Sequence, residues 1–324
     1  MRRATPHEVA ARRAACVAEA LDNSYQAMQT KVGFIGLGAM GWPMATNLVK
    51  KQFDVRVFDV RGEVLRKFIT EVGGTAATSP RDAAKGVDVL ITMLPNSKLV
   101  HDVLLGEGDA AAGLDLGAVV VDMSSGVPTE TQATAAALLK RGFEMVDAPV
   151  SGAVRRAITG ELSIVVGGTP QSIDRVRPVL SGMGKSITRA GNVGAAHATK
   201  ALNNLALAGS FLIAVEALLV GKKFGLDTGA LVDFINASSG MNYNTQTKFK
   251  QFLLSGTFAA GFATDLLVKD VGIALELAQS MDADVPFSTM CQALWHEASQ
   301  RLAPASDHTE IAKVAAQKVG VAFP

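Results

Sequence analysis

Apolar and polar positions change their rhythm twice along the chain. From Lys31, the run Val32-Gly33-Phe34-Ile35 is short, apolar and ends in glycine, as a strand buried on both faces does. A helix follows in the spacing of Met40, Met44, Ala45, Leu48 and Val49, with Pro43 in the first turn, where a helix tolerates it. Val55-Arg56-Val57-Phe58-Asp59 reads as a second strand with an acid at its tip. Apolar runs recur over residues 87–94, 118–123, 143–146 and 162–166, and helical segments over 129–140 and 170–180 lie among them. Such alternation predicts an α/β domain, a doubly wound parallel sheet with helices on both faces. Near Gly191 the rhythm stops. Residues 194–224 are rich in Ala and Leu with no internal proline, a helix of up to roughly 45 Å. Only helices are expected beyond it, over 228–236, 264–280, 286–301 and 309–318. The organisation is an extension over 1–30, a doubly wound domain over 31–192 and an all-helical domain over 193–324.

Composition narrows the function classes. Nearly half of the 324 residues are apolar (48%), enough for a large core. The formal net charge is +1, so no basic nucleic-acid footprint shows at the level of the whole chain. No uninterrupted apolar run reaches the roughly 18 residues of a membrane span. Cys16 and Cys291 are far apart, and the five histidines form no ligand pair on a helix. Neither a disulfide scaffold nor a metal site is expected, and a reducing, cytoplasmic setting fits. The first thirty residues carry Arg2, Arg3, Arg12 and Arg13 but also Glu8, Glu19 and Asp22, and they lack a secretory apolar centre. They read as an appendage dispensable for activity.

Chemistry enters at Gly36-Leu37-Gly38-Ala39-Met40-Gly41. Chance supplies roughly 0.3 such glycine patterns in a chain of this glycine content, so context must carry the reading. Here the turn follows a strand, opens a helix and precedes Asp59 at the expected separation. Gly36 would permit the tight turn, Gly38 the approach of a pyrophosphate, and Gly41 close packing of helix on strand. The pyrophosphate would meet the open N–H groups of the helix start, around Ala39 and Met40. Asp59 would accept the adenosine ribose hydroxyls and repel a 2′-phosphate, which favours NAD; Arg61, two residues on, leaves NADP open.

These residues also carry a resemblance. The segments 33–41, Met44-Ala45 and Asn47-Leu48 resemble the opening of the 3-hydroxyisobutyrate dehydrogenase family. Met93-Leu94-Pro95, Asp122-Met123-Ser124-Ser125, Asp147-Ala148-Pro149-Val150-Ser151-Gly152, the stretch 191–204 and Lys269-Asp270 continue it in order. The resemblance implies a Rossmann domain joined by a long helix to a helical domain. It implies hydride transfer between a nicotinamide and a short β-hydroxyacid such as 3-hydroxyisobutyrate. Tartronate semialdehyde (2-hydroxy-3-oxopropionate) or D-glycerate, and L-threonate, are alternative substrates.

Ser151 and Gly152, past a strand end, suit a substrate carboxylate. The sequence departs from the family at Ala153, where a second glycine is usual, and at Arg155 and Arg156, which replace small residues. The resemblance makes Lys200 the general acid/base, and Asn204 one turn later would hold the substrate with Asn203 near it. Lys269 would reach substrate or cofactor from the helical domain, and Phe262 matches a position that helps close the site. Leu94, Pro95, Asn96 and Ser124 end strands and would border the nicotinamide. Imine reductases and non-catalytic members of the fold lack the lysine, so Lys200 speaks against both. The residues Leu202, Leu205, Leu207, Phe211, Leu212, Ile213, Leu218 and Leu219 make the long helix apolar around much of its girth. With the family's habit of pairing through helical domains, this suggests a homodimer or homotetramer.

Overall fold

The computed structural model describes residues 30–322, so the extension expected over 1–30 lies, Thr30 apart, outside the described residues. Two compact units divide at His197.

The first unit is built on strands β1 (Lys31–Ile35), β2 (Asp54–Phe58), β3 (Thr75–Ala76), β4 (Val89–Thr92), β5 (Val119–Asp122), β6 (Glu144–Asp147), β7 (Val150–Ser151), β8 (Leu162–Gly167) and β9 (Gly184–Gly191). Their order is β3-β2-β1-β4-β5-β6-β8-β7, with β9 paired to β8. From β3 to β6 every pairing is parallel. β8 then runs antiparallel to both β6 and β7. The link from β6 to β8 holds only β7 and the seven-residue helix Ala153–Thr159, which is short for a parallel crossover. The chain leaves β1 for β2 on one side and returns to β4 on the other, so the order reverses at the end of β1. An open α/β sheet binds ligands at such a point. Both faces are covered. Phe34, Met44, Leu48, Val57, Phe68 and Val121 pack on one, and Ile35, Leu90, Leu104, Val120 and Leu138 on the other. This is why the strands are continuously apolar rather than alternating.

The helix Ala195–Phe224 leaves the first unit and continues through the second, which also contains helices Thr228–Asn236, Thr264–Ser280, Pro286–Arg301 and Ile311–Val319. A π-helical segment, Thr245–Leu253, lies between them. By length and mean hydropathy (1.8 in its most apolar window) the long helix could cross a bilayer. Instead its Ala208, Phe211, Val215 and Leu218 are fully buried in a core with Phe249 and Trp295. Phe211 meets Phe249 edge to face at 5.4 Å, and the Trp295 Nε1 donates to the Ala208 carbonyl at 3.3 Å. It is the central core helix of this unit.

Candidate active site

The glycine turn sits at the end of β1, and its three glycines have separate steric reasons. Gly36 has φ +104°, and a Cβ there would stand 2.3 Å from the Met93 carbonyl oxygen at the end of β4. A Cβ on Gly41 would meet the Gly36 oxygen at 1.9 Å, so only glycine lets the helix Gly41–Lys50 start this close to β1. At Gly38 a Cβ would touch nothing within 4 Å, so the backbone there faces open space. Ala39 is exposed and Met40 half-buried beside it. A pyrophosphate fits this cradle, because the open backbone coincides with the N-terminus of a helix.

Asp59, at the tip of β2, is bound into the same turn. The Leu37 N–H donates to its Oδ2 at 2.8 Å, and Arg61 donates its N–H and Nε to Oδ1, both at 2.9 Å, and its Nη2 to Oδ2 at 3.0 Å. Burial pushes the Asp59 carboxyl up, but these hydrogen bonds outweigh it and hold it below the ordinary carboxylate range. The acceptor expected for a ribose and the arginine expected for a 2′-phosphate thus hold each other. The Arg61 side chain is half-exposed, whereas Asp59 is buried.

The ends of β4 and β5 are tied into one network. Leu94 donates its N–H to Ser124 Oγ at 2.9 Å. Thr92 Oγ1 and the Ser124 N–H both donate to Asp122 Oδ1, at 2.9 and 3.0 Å. Ser124 is wholly buried, so it shapes this rim by joining Leu94 to Asp122 rather than by offering an exposed hydroxyl. Pro95 and Asn96 are exposed. The Asn96 Oδ1 accepts the Leu99 N–H at 2.9 Å and caps the helix Ser97–Leu105.

His197, which the sequence reading passed over, closes the network. Its Nε2 stands 3.0 Å from the Ser124 carbonyl oxygen, a group that can only accept, so Nε2 carries a proton. Its Nδ1 is 2.8 Å from Thr131 Oγ1. The backbone N–H groups of His197 and Gly194 donate to the two oxygens of Asp147, at 2.8 and 2.9 Å, which caps the start of the long helix. Burial pushes the Asp147 carboxyl up. Asp122 and Asp147 were visible as acids at the tips of apolar strands. Only the fold gives that position its meaning.

Ser151 ends β7 with its side chain exposed, and Gly152 follows with φ +132°. Ala153 has φ +56°, a left-handed conformation costly for any residue but glycine. The family's usual glycine is therefore replaced where glycine would be relaxed.

In the second unit Lys200, Asn203, Asn204, Lys269 and Asp270 come together. Asn204 donates its Nδ2 to Asp270 Oδ2 at 2.6 Å, and Asn203 donates to Asn204 Oδ1 at 3.1 Å. Lys269 Nζ lies 3.6 Å from Asp270 Oδ1, an ion-pair distance beyond hydrogen bonding, and that buried oxygen has no hydrogen bond. Burial pushes the Lys200 amine below the ordinary lysine range; Asp270 opposes the shift and Lys269 adds to it. Asp270 is thus a site residue that the sequence reading did not single out. Phe262 stands at a turn held by His308. The His308 N–H and Nδ1 both approach the Phe262 oxygen, at 2.9 and 3.0 Å. Nδ1 therefore donates, and Nε2 accepts from Lys248 Nζ at 2.8 Å. Burial first, then the Lys248 charge, pushes the His308 pKa down to about 4, and burial pushes Lys248 down to about 8.

Comparison with known proteins agrees with this fold. Residues 31–191 match the NAD binding domain of 6-phosphogluconate dehydrogenase, and residues 194–315 match the NAD-binding domain of NADP-dependent 3-hydroxyisobutyrate dehydrogenase. The chain is 37% identical to 2-(hydroxymethyl)glutarate dehydrogenase of Eubacterium barkeri over 90% of its own length and 96% of the relative's. It is 36% identical to 3-hydroxyisobutyrate dehydrogenase of Pseudomonas aeruginosa, over 82% and 91%. The solved structure of Mycobacterium tuberculosis 3-hydroxyisobutyrate dehydrogenase with L-serine superposes with a TM-score of 0.84 at 29% identity, covering 89% of this chain and 99% of that one. With both units matched and relatives at 36–37% identity covered almost end to end, the chain belongs to the 3-hydroxyisobutyrate dehydrogenase family of NAD(P)-dependent β-hydroxyacid dehydrogenases.

Proposed function

We propose that the chain oxidises the hydroxyl of a short 3-hydroxyacid of the 3-hydroxyisobutyrate type, with Lys200 as general base. The observation that carries this is the depressed Lys200 amine, one helical turn from an Asn204 locked to Asp270. A lysine shifted this way has a larger neutral fraction at any given pH, and its neutral amine can accept the hydroxyl proton. Bound NAD supplies the acceptor for the hydride that leaves the carbinol carbon. Ser151 Oγ and the Gly152 N–H hold the substrate carboxylate. Asn204, its amide oriented by Asp270 and Asn203, fixes the hydroxyl. In the reverse direction the Lys200 ammonium returns the proton to the carbonyl oxygen. Asp59, ionised and buried, favours NAD over NADP. Within this reaction class, tartronate semialdehyde reduction and L-threonate oxidation are the alternatives; the E. barkeri relative's name adds 2-(hydroxymethyl)glutarate. The test is a kinetic screen of short 2- and 3-hydroxyacids against NAD and NADP. Turnover of 3-hydroxyacids with NAD supports the reading, and turnover confined to 2-hydroxyacids overturns it.

The same reading places the enzyme in the cytoplasm as a homodimer or homotetramer. Leu202, Ile213, Val220 and Phe224 are 49%, 57%, 67% and 83% exposed, and their spacing puts them on one face of the long helix. A second copy would cover that apolar stripe.

A further inference from the structure

The short helix Ala153–Thr159 after β7 carries two arginines whose charges no side chain among the described residues answers. Arg155 and Arg156 are exposed, and among the described residues neither side chain has a hydrogen-bond or ion-pair partner, unlike Arg56, Arg61, Arg141, Arg175, Arg177 and Arg301. Arg156 does not simply extend into solvent. A Cβ built on Gly152 would stand 2.6 Å from Arg156 Cδ and 2.8 Å from its Cβ, so the aliphatic stem lies across the Gly152 backbone. The stem thus packs beside Gly152, next to Ser151. The nearby carboxylate of Glu161 accepts instead from Thr159 Oγ1 at 3.1 Å. The sheet order separates these arginines from the ribose end of the cofactor. β2, with Asp59 at its tip, is four strand spacings from β6, about 19 Å at the usual spacing, and β7 lies farther along. A cofactor 2′-phosphate at Asp59 is therefore not what they serve.

We propose that Arg156, with Arg155 beside it, forms a subsite for a second oxyanion, so that the enzyme acts on 3-hydroxyacids that carry a carboxylate or sulfonate on a side branch as well as the first carboxylate. The inference rests on the reading that Ser151 and Gly152 hold that first carboxylate. A guanidinium presents paired donors that match the planar edge of a carboxylate and also suit a sulfonate. An arginine packed along its stem loses less freedom on binding than one extended into water.

The experiment compares kcat/KM for 3-hydroxyisobutyrate with that for analogues whose methyl is replaced by a carboxyethyl or a sulfoethyl group. The proteins are the parent, R156Q, R155Q/R156Q and, as a control for net charge, R81Q. The expected result is a parent preference for the doubly charged acids. In R156Q the preference should shrink about ten- to hundredfold, the scale of one charge-assisted hydrogen bond, mainly through KM. R81Q should keep it, and the two analogues decide between carboxylate and sulfonate. Equal kcat/KM for all three acids in the parent, or a preference that survives R155Q/R156Q in a protein of unchanged Tm, overturns the subsite alone. No turnover of any of the three acids overturns the functional reading, and the subsite with it.

Discussion

Burial and two charges set the protonation of one amine. Lys200 must be neutral to accept a proton, so kcat/KM for oxidation should rise with pH through an ionisation below the ordinary lysine value of 10.5. Asp270 holds that ionisation up and Lys269 holds it down. Asp270→Asn should therefore move the rising limb to lower pH, and Lys269→Met should move it to higher pH. Shifts of the same sign in both variants would contradict the arrangement. At the cofactor, Asp59→Ser removes a buried carboxylate and releases Arg61, so kcat/KM should swing towards NADP; a parent that already prefers NADP would count against the ribose reading. Asp59 and the three glycines stood out as candidates in the sequence because each lies in a local pattern, and Lys200 because it matches a position of the family. Asp270, His197 and His308 were not, since their importance comes from burial and from partners 46–73 residues away.

Among the elements, the first turn of the long helix is held by one carboxylate. Asp147 takes the N–H groups of Gly194 and His197, and Lys200 lies three residues beyond. Asp147→Asn turns one acceptor into a donor facing an N–H. It should cost about 1–3 kcal/mol of stability, read as a lower Tm with faster amide exchange at 194 and 197. An unchanged Tm would remove Asp147 from this role. At the start of the short helix, Ala153→Gly relieves a left-handed alanine at about 1–2 kcal/mol, partly offset by glycine's greater unfolded-state freedom. A small rise in Tm is expected, and a fall would show that the strain is absent. Helices over 228–236, 264–280 and 286–301 were readable to the residue, two of them from a proline or an N-capping pattern at their starts. β9 was not. It pairs only with β8, and Lys185, Ser186, Thr188 and Arg189 along it leave no apolar run for a periodicity argument to find.

For the whole molecule, the proposed pairing through the exposed stripe on the long helix can be tested in solution. Sedimentation at micromolar concentration should give a dimer or tetramer, and Ile213→Lys with Val220→Lys should shift it towards monomer. A parent that sediments only as monomer would contradict the pairing. The division into an α/β unit and a helical unit was legible because the alternation of strands and helices ends near Gly191 and a long proline-free segment begins. The reversed strand β8 was not, because direction depends on the length of a connection whose helix is itself short. The most direct test is made on Lys200→Ala. NAD affinity should stay within about twofold of the parent, while kcat for the best 3-hydroxyacid falls by about two to four orders of magnitude and its pH dependence flattens. A variant that keeps kcat within about threefold of the parent, with the same rising limb, would show that another group moves the proton.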